Sequence, residues 1–167
     1  ADGLAWKIRS VIAGHDCPLE GKEGPCESAI CRLKDGRLMC VFRLDSFIPY
    51  GRTYSSDDGR TWSSAENIAP FSVEPSLAVL GDGTVALSGG RCGINVWFNA
   101  DGTGGDWQAV DIAAAHNASA APADRIDPDS RKCWMDIDQM RKLDLTGFSS
   151  CYTEIVPLDE STLLLIY

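Results

Sequence analysis

Side chains that could do chemistry stand at the ends of segments with the pattern of a β-hairpin. Glu27 and Arg43 open and close one such segment, Arg91 closes a second, and Tyr152 precedes a third at 154–167. An arginine grips a carboxylate through two parallel hydrogen bonds and stays charged at ordinary pH. A tyrosine hydroxyl has a pKa of about 10, so it becomes a nucleophile only with a base in hydrogen-bond reach. Such groups could bind an acidic ligand and attack it through a phenolate.

Thiol and metal chemistry is not indicated by the cysteines. The seven cysteines form no C-x-x-C pair and have no zinc-like spacing, and we expect neither a metal nor a cofactor. Cys31 and Cys40 lie on facing strands of one predicted hairpin and suit the role of small buried hydrophobic residues. In an oxidising compartment a disulfide such as Cys17–Cys26 is the alternative.

The segments that would position these residues are marked by a characteristic turn. Residues 55–62 fit the pattern S-x-D-x-G-x-T-W at every fixed position, which are Ser55, Asp57, Gly59, Thr61 and Trp62. Ser and Asp side chains bond backbone N–H groups just ahead of them, Gly supplies a positive φ, and Trp buries its ring beside the turn. The pattern therefore predicts a locked turn between two strands, which is a folding device and not a catalytic site.

The turn recurs along the chain. Residues 99–107 are a degenerate copy with Asp101, Trp107 and one extra residue before the Trp, and residues 1–6 match the second half of the pattern. The three tryptophans lie 56 and 45 residues apart, and repeats of about 40–50 residues are typical of β-propellers. Between the turns, Asp-Gly pairs at 35–36 and 82–83 separate apolar β-prone runs, which is a strong hairpin signal.

We therefore predict an all-β fold, a β-propeller of four-stranded antiparallel blades, with about three blades over residues 1–167. An insertion at about 114–146 breaks the pattern. There we expect a loop over 113–123, and residues 136–145 could form a short helix. Trp134 and Met135 could line a pocket in this region, with a packed surface excursion as the alternative. Closed propellers have about four to eight blades, so we expect missing N-terminal blades, with two copies closing one ring as the alternative.

Charge and hydropathy exclude two classes of partner. The net charge is −9 and the isoelectric point is about 4.6. This balance argues against nucleic-acid binding, which needs a basic surface. The sequence has no apolar run of about 18 residues, so it predicts no membrane span.

The two turns at 55–62 and 99–107 and the hairpins resemble the sialidase (neuraminidase) superfamily, specifically the C-terminal half of its six-bladed propeller. In that superfamily the turn is called the Asp box, and we call residues 55–62 the first box and residues 99–107 the second box. The resemblance runs over nearly the whole chain. It implies four site residues by position. Glu27 and Arg43 begin and end one hairpin, Arg91 precedes the strand that leads into the second box, and Tyr152 begins a Y-[ST]-x-[LIV] match.

The resemblance implies a hydrolase that removes terminal sialic acid from glycoconjugates with retention of configuration. Arg43 and Arg91 would bind the substrate carboxylate. Glu27 would take the proton of Tyr152, and Tyr152 would be the nucleophile, because sialidases use a tyrosine in this role. The partner would be a glycan, and the protein would be secreted or periplasmic.

Other interpretations stay open from the residues alone. A complete site of this kind also needs a third arginine and an acid/base aspartate, and no residue here can be assigned to either. Glu27 and Glu74 occupy equivalent repeat positions, as do Arg43 and Arg91. Glu27 could therefore pair with a neighbouring strand, the arginines could be solvated, and Tyr152 could only pack. The alternatives are a non-catalytic glycan-binding or adhesion propeller and a related propeller that acts on another acidic polysaccharide.

Overall fold

The computed structural model describes residues 3–45, 47–91, 93–127 and 152–167. Its strands form three antiparallel units in chain order. The first sheet contains β1 (Cys26–Arg32), β2 (Leu38–Arg43), β3 (Gly51–Ser55) and β4 (Glu66–Asn67). The second sheet contains β5 (Ser76–Val79), β6 (Val85–Gly89), β7 (Asn95–Asn99) and β8 (Gln108–Asp111). The third hairpin contains β9 (Glu154–Pro157) and β10 (Leu163–Ile166). The predicted all-β class and its four-stranded antiparallel sheets are confirmed.

The same turn opens each of the three units. In the first, the Leu33 N–H donates to the carbonyl of Arg37, and Gly36 adopts a φ of +90°. Leu80 and Thr84 repeat the bond in the second unit, and Leu158 and Thr162 repeat it in the third. In each turn an aspartate side chain also accepts from the backbone N–H two residues ahead. The predicted hairpins are therefore present, in the predicted order.

Apolar faces join the units into one stack. Alternate residues of the first sheet pack against the second sheet in a core that contains Leu33, Met39, Val41, Tyr50, Ile68, Val85, Leu87 and Trp97. The other face of the second sheet packs on Ile155, Leu163 and Leu165 of the third hairpin. The first strands lie side by side, β1 beside β5 and β5 beside β9. We call β1, β5 and β9, the first strand of each unit, the inner strands. Their ends come together on one side of the stack.

The first box, residues 55–62, forms the predicted locked turn between β3 and β4. The buried Ser55 hydroxyl accepts a hydrogen bond from the Gly59 N–H at 2.8 Å and donates to Asp57 Oδ1 at 2.8 Å. Asp57 also accepts from the N–H of Thr61 at 2.9 Å and from its hydroxyl at 2.7 Å. Gly59 has a φ of +77°, and Trp62 packs beside the core of the first sheet.

The second box, residues 99–107, forms a similar turn with different donors and acceptors. Asn99 replaces the serine, and its Oδ1 accepts from the Gly104 N–H at 2.7 Å. Asp101 accepts from the N–H and hydroxyl of Thr103 at 3.0 and 2.7 Å. Trp107 packs against the core between the sheets. The degenerate copy therefore keeps its folding role.

One region and one residue of the repeat differ from prediction. The loop predicted at 113–123 is wrong, because α1 (Ile112–Ser119) and a 3₁₀ turn (Pro122–Asp124) occupy it. Alanine is the best helix former, and Asp111 caps α1 by accepting from the Ala114 N–H at 2.9 Å. Trp6 is 89% exposed instead of buried. Among the described residues, no helix is long and apolar enough to cross a membrane.

The cysteine prediction is settled for the four thiols in the described ranges. Cys17 and Cys26 are both free, so the suggested disulfide between them is wrong. Cys31 and Cys40 lie on adjacent strands, Cys40 is buried, and burial raises the pKa of each thiol to about 12. Residues 1–2 of the first repeat copy, the predicted helix at 136–145, and Trp134 and Met135 lie outside the described residues.

Candidate functional site

An ion pair between a buried arginine and a part-buried glutamate joins two of the predicted site residues. Arg43, the last residue of β2, is only 6% exposed, and its Nη1 donates to Glu27 Oε1 at 2.6 Å. The second oxygen, Oε2, accepts from the backbone N–H of Glu74 at 2.7 Å. Glu27 thus bonds to its own hairpin and to the next sheet. The alternative that Arg43 is solvated is wrong, whereas the alternative that Glu27 pairs with the neighbouring repeat is confirmed.

The backbone at Glu27 is unusual in a way that aims its side chain. The β1–β2 register shifts between Cys26 and Ser28, so Glu27 lies in a β-bulge, and its φ is +41°. Glu74 has a φ of +39° before β5. A positive φ in a residue other than glycine is uncommon and carries strain, and such residues are concentrated at functional sites. Bulges also redirect side chains beside active sites.

Equivalent positions in the three hairpins can be counted from their common turn. Glu27, Glu74 and Tyr152 each lie six residues before the leucine whose N–H closes the turn. By the same count Arg43 matches Gly90, not Arg91. The predicted equivalence of Arg43 and Arg91 is therefore wrong by one residue, because Arg91 lies two residues beyond the end of β6.

A second carboxylate, which the sequence analysis missed, also binds Arg43. Glu23 Oε2 lies 2.7 Å from Arg43 Nη2. Glu23 belongs to a tight turn in which the Gly24 N–H donates to the Gly21 carbonyl at 3.2 Å, and its own N–H donates to the Leu44 carbonyl at 3.3 Å. The Gly-Lys-Glu-Gly sequence signals the turn, but nothing local signals its contact with a strand end twenty residues away.

A buried serine holds the backbone of Arg91, and a buried tyrosine lies close to that serine. The Ser72 hydroxyl donates to the Arg91 carbonyl at 2.8 Å and accepts from the Arg91 N–H at 2.9 Å. The fully buried Tyr50 donates to the Val73 carbonyl at 3.2 Å. Burial raises the pKa of Tyr50 above its usual range, and its hydrogen bond with Ser72 partly opposes this. The charges of Glu27 and Arg43 also act on the pKa of Tyr50, so this network lies beside the ion pair.

A groove of about 380 Å³ crosses the ends of the inner strands, lined in part by Glu27, Glu74, Ser76 and Glu154. Glu154 Oε1 accepts from the Ser76 hydroxyl at 2.6 Å, which ties the second sheet to the third hairpin. The carboxylate oxygens give the groove many hydrogen-bond acceptors. Such a lining suits a ligand rich in hydroxyl groups.

Tyr152 stands at the entrance to β9 and is 55% exposed. Its neighbour Thr153 is buried and donates to the Ser88 hydroxyl at 2.9 Å, which fixes this strand end against β6. The predicted bond from the Tyr152 hydroxyl to Glu27 is not among the hydrogen bonds of Glu27, whose oxygens bond to Arg43 and Glu74. The structure thus brings Glu27 and Arg43 together and places Tyr152 at the equivalent strand end, two units away.

No protein-family model matches the chain, and no curated protein matches it either. The described residues contain no group of three or more His, Cys, Asp or Glu side chains that could hold a metal ion.

Proposed function

We propose that this chain is part of a sialidase-type β-propeller that hydrolyses terminal sialosides with retention of configuration. The observation that carries the proposal is the pair of the buried Arg43 with Glu27 at a bulged strand end beside the groove. A buried guanidinium is a strong and geometrically specific site for a carboxylate, the group that distinguishes sialic acids from neutral sugars. The side-by-side inner strands support a ring of blades around this site.

In the proposed reaction Arg43 and Arg91 bind the substrate carboxylate beside the anomeric carbon. Glu27 takes the proton of the Tyr152 hydroxyl, the phenolate oxygen attacks the anomeric carbon, and the aglycone oxygen leaves with a proton taken from a water molecule. The hydroxide that remains then attacks the anomeric carbon and breaks its bond to the tyrosine, and the Tyr152 phenolate recovers its proton from Glu27. For the first step a Glu27 oxygen must come within hydrogen-bond reach of the tyrosine hydroxyl; Oε2 now accepts one bond, from the Glu74 N–H, and has a second lone pair for this one.

A non-catalytic glycan-binding propeller is the second candidate, and one observation favours it. Both Glu27 oxygens and both terminal nitrogens of Arg43 are bonded to groups of the chain itself. Glu27 and Arg43 would be bonded in this way if they served only to join neighbouring sheets. The groove and its carboxylates would then bind sugar hydroxyls without chemistry.

Hydrolysis of a fluorogenic sialoside by the protein expressed from its whole natural reading frame separates the two candidates. Tyr152→Phe should lower kcat by more than about a thousandfold, as expected for loss of a nucleophile, and still bind a dehydrated sialic acid analogue. Tyr167→Phe is the matched control, because the two tyrosines are 55% and 54% exposed. No hydrolysis by the wild type, or equal rates for both variants, would reject the enzymatic proposal.

A variant of Arg43 is less informative for this purpose. Removing an arginine that makes two charge-assisted hydrogen bonds costs about 1.5–3 kcal/mol of folding stability. Since Arg43 is 6% exposed and bonded to Glu23 and Glu27, Arg43→Ala would lower stability and activity together. Tyr152 is exposed enough for its hydroxyl to be removed with little effect on folding.

A further inference from the structure

Arg43 is held by two carboxylates that differ in how firmly they are fixed. Glu27 uses both oxygens, one for Arg43 and one for the Glu74 N–H, and its side chain is 24% exposed. Glu23 bonds through its Oε2 to Arg43 Nη2, and its side chain is 46% exposed. Glu27 is therefore the permanent partner of the guanidinium, and Glu23 is the partner that can leave.

The turn that carries Glu23 keeps its backbone in place. Gly24 has a φ of +68°, and Gly21 lies so close to the Leu44 carbonyl that a side chain there would collide with it. The Glu23 N–H also bonds to the Leu44 carbonyl. Because the backbone is anchored to the end of β2, movement of Glu23 away from Arg43 requires only rotation of its side chain.

Charge makes the departure of Glu23 necessary for an anionic ligand. Arg43 contributes one positive charge, whereas Glu23 and Glu27 contribute two negative ones, so the cluster is net negative as it stands. A ligand carboxylate would meet repulsion and would find Nη2 already occupied at 2.7 Å. Once Glu23 turns into solvent, the remaining pair is neutral and Nη2 can donate to the ligand.

We propose that Glu23 is an internal stand-in for the ligand carboxylate, which occupies Arg43 Nη2 in the ligand-free protein and is displaced on binding. The inference rests on the proposed function in one respect, since it takes Arg43 as the residue that receives the ligand carboxylate. Its consequence is a reduced affinity, because only the fraction of molecules with Glu23 turned away can bind.

The test compares Glu23→Gln with Glu20→Gln in the full chain. Both variants lose one negative charge from the same exposed segment, but only Glu23 bonds to Arg43. N-acetylneuraminate and acetate are titrated separately, and the rise of the unfolding midpoint with ligand concentration gives the dissociation constant. Glu23→Gln should bind N-acetylneuraminate at least about fivefold more tightly than the wild type, and Glu20→Gln should equal the wild type.

The outcomes separate the displacement from the proposed function. Equal or weaker N-acetylneuraminate binding by Glu23→Gln, or an equal gain in Glu20→Gln, would reject the displacement and leave the function standing. A gain for acetate without any binding of N-acetylneuraminate would support the displacement and count against the function. No carboxylate binding by any variant would reject both. If Glu23→Gln does not fold, Glu23→Asp decides instead, since its shorter side chain should also release Nη2 and tighten binding.

Discussion

Glu27 Oε2 accepts a hydrogen bond from the backbone N–H of Glu74 at 2.7 Å. The two residues occupy the same place in consecutive hairpins, and both have a positive φ. The carboxylate of one repeat therefore holds the strand entry of the next. The bond connects the stacking of the sheets to the candidate site, because the same carboxylate also pairs with Arg43.

Removing the Glu27 side chain should destabilise the protein more than removing that of Glu74. Glu27→Ala loses two charge-assisted hydrogen bonds, one of them to a buried arginine, and we expect a loss of about 1.5–3 kcal/mol in the free energy of unfolding. Glu74→Ala is the matched control, because its φ is similar, at +39° against +41°, and its side chain is exposed. Its loss should stay within about 0.5 kcal/mol. Urea unfolding of both variants measures the difference, and equal losses would contradict a joining role for Glu27.

The serine of the first box should matter far more than the serine next to it. Ser55 is 2% exposed, and its hydroxyl is the acceptor for the Gly59 N–H. Ser55→Ala leaves that N–H without its acceptor inside the turn, which should cost about 1–3 kcal/mol. Ser56→Ala changes an exposed residue and should have almost no effect. The denaturation midpoints of the two variants test this prediction, and similar values would mean that the Ser55 hydroxyl does not lock the turn.

Local signals explain what the sequence could predict. An Asp-Gly turn or an Asp box forms within a few residues, so the pattern 55–62 correctly predicted that Ser55 and Asp57 accept from backbone N–H groups, although their closest backbone donors lie four residues ahead and not one or two. The Glu23–Arg43 pair joins a loop to a strand end, and only the fold brings its members together. The helix α1 was missed because its alanines lack the apolar periodicity that usually marks a helix, although Asp111 was a readable cap.

Acid should destabilise the first box through Asp57. The N–H of Thr61, then its hydroxyl and the hydroxyl of Ser55, bond to the carboxylate and hold the pKa of Asp57 well below its usual range. The folded pKa lies below the unfolded value of about 3.9, so this stabilisation is complete above that pH and is lost as pH falls toward the folded pKa. Urea midpoints measured between about pH 5 and pH 2 should fall less steeply in Asp57→Asn than in the wild type. Identical slopes would show that Asp57 titrates alike in both states.

Adjacent glycines of the second box should differ strongly in how much a methyl group destabilises the protein. Gly104 is buried, has a φ of +80°, and a Cβ there would collide with Met39 Sδ of the first sheet. Gly104→Ala therefore combines overpacking, about 1–3 kcal/mol, with about 1–2 kcal/mol of left-handed backbone strain. Gly105 is exposed, and a Cβ there would meet only the Thr103 hydroxyl at 3.3 Å. Gly105→Ala should change stability by less than about 1 kcal/mol in either direction.

Gly104→Ala, combined with a variant of Met39, also tests how the two sheets fit together. Met39 belongs to the core shared by both sheets, so the collision at Gly104 acts across their interface and not within the turn alone. Shortening Met39 should relieve it, and the double variant Gly104→Ala with Met39→Ala should lose less stability than the sum of the two single losses. A double-mutant cycle by urea unfolding measures this coupling. Strict additivity would mean that the second box does not press against the first sheet, and that another contact joins the two.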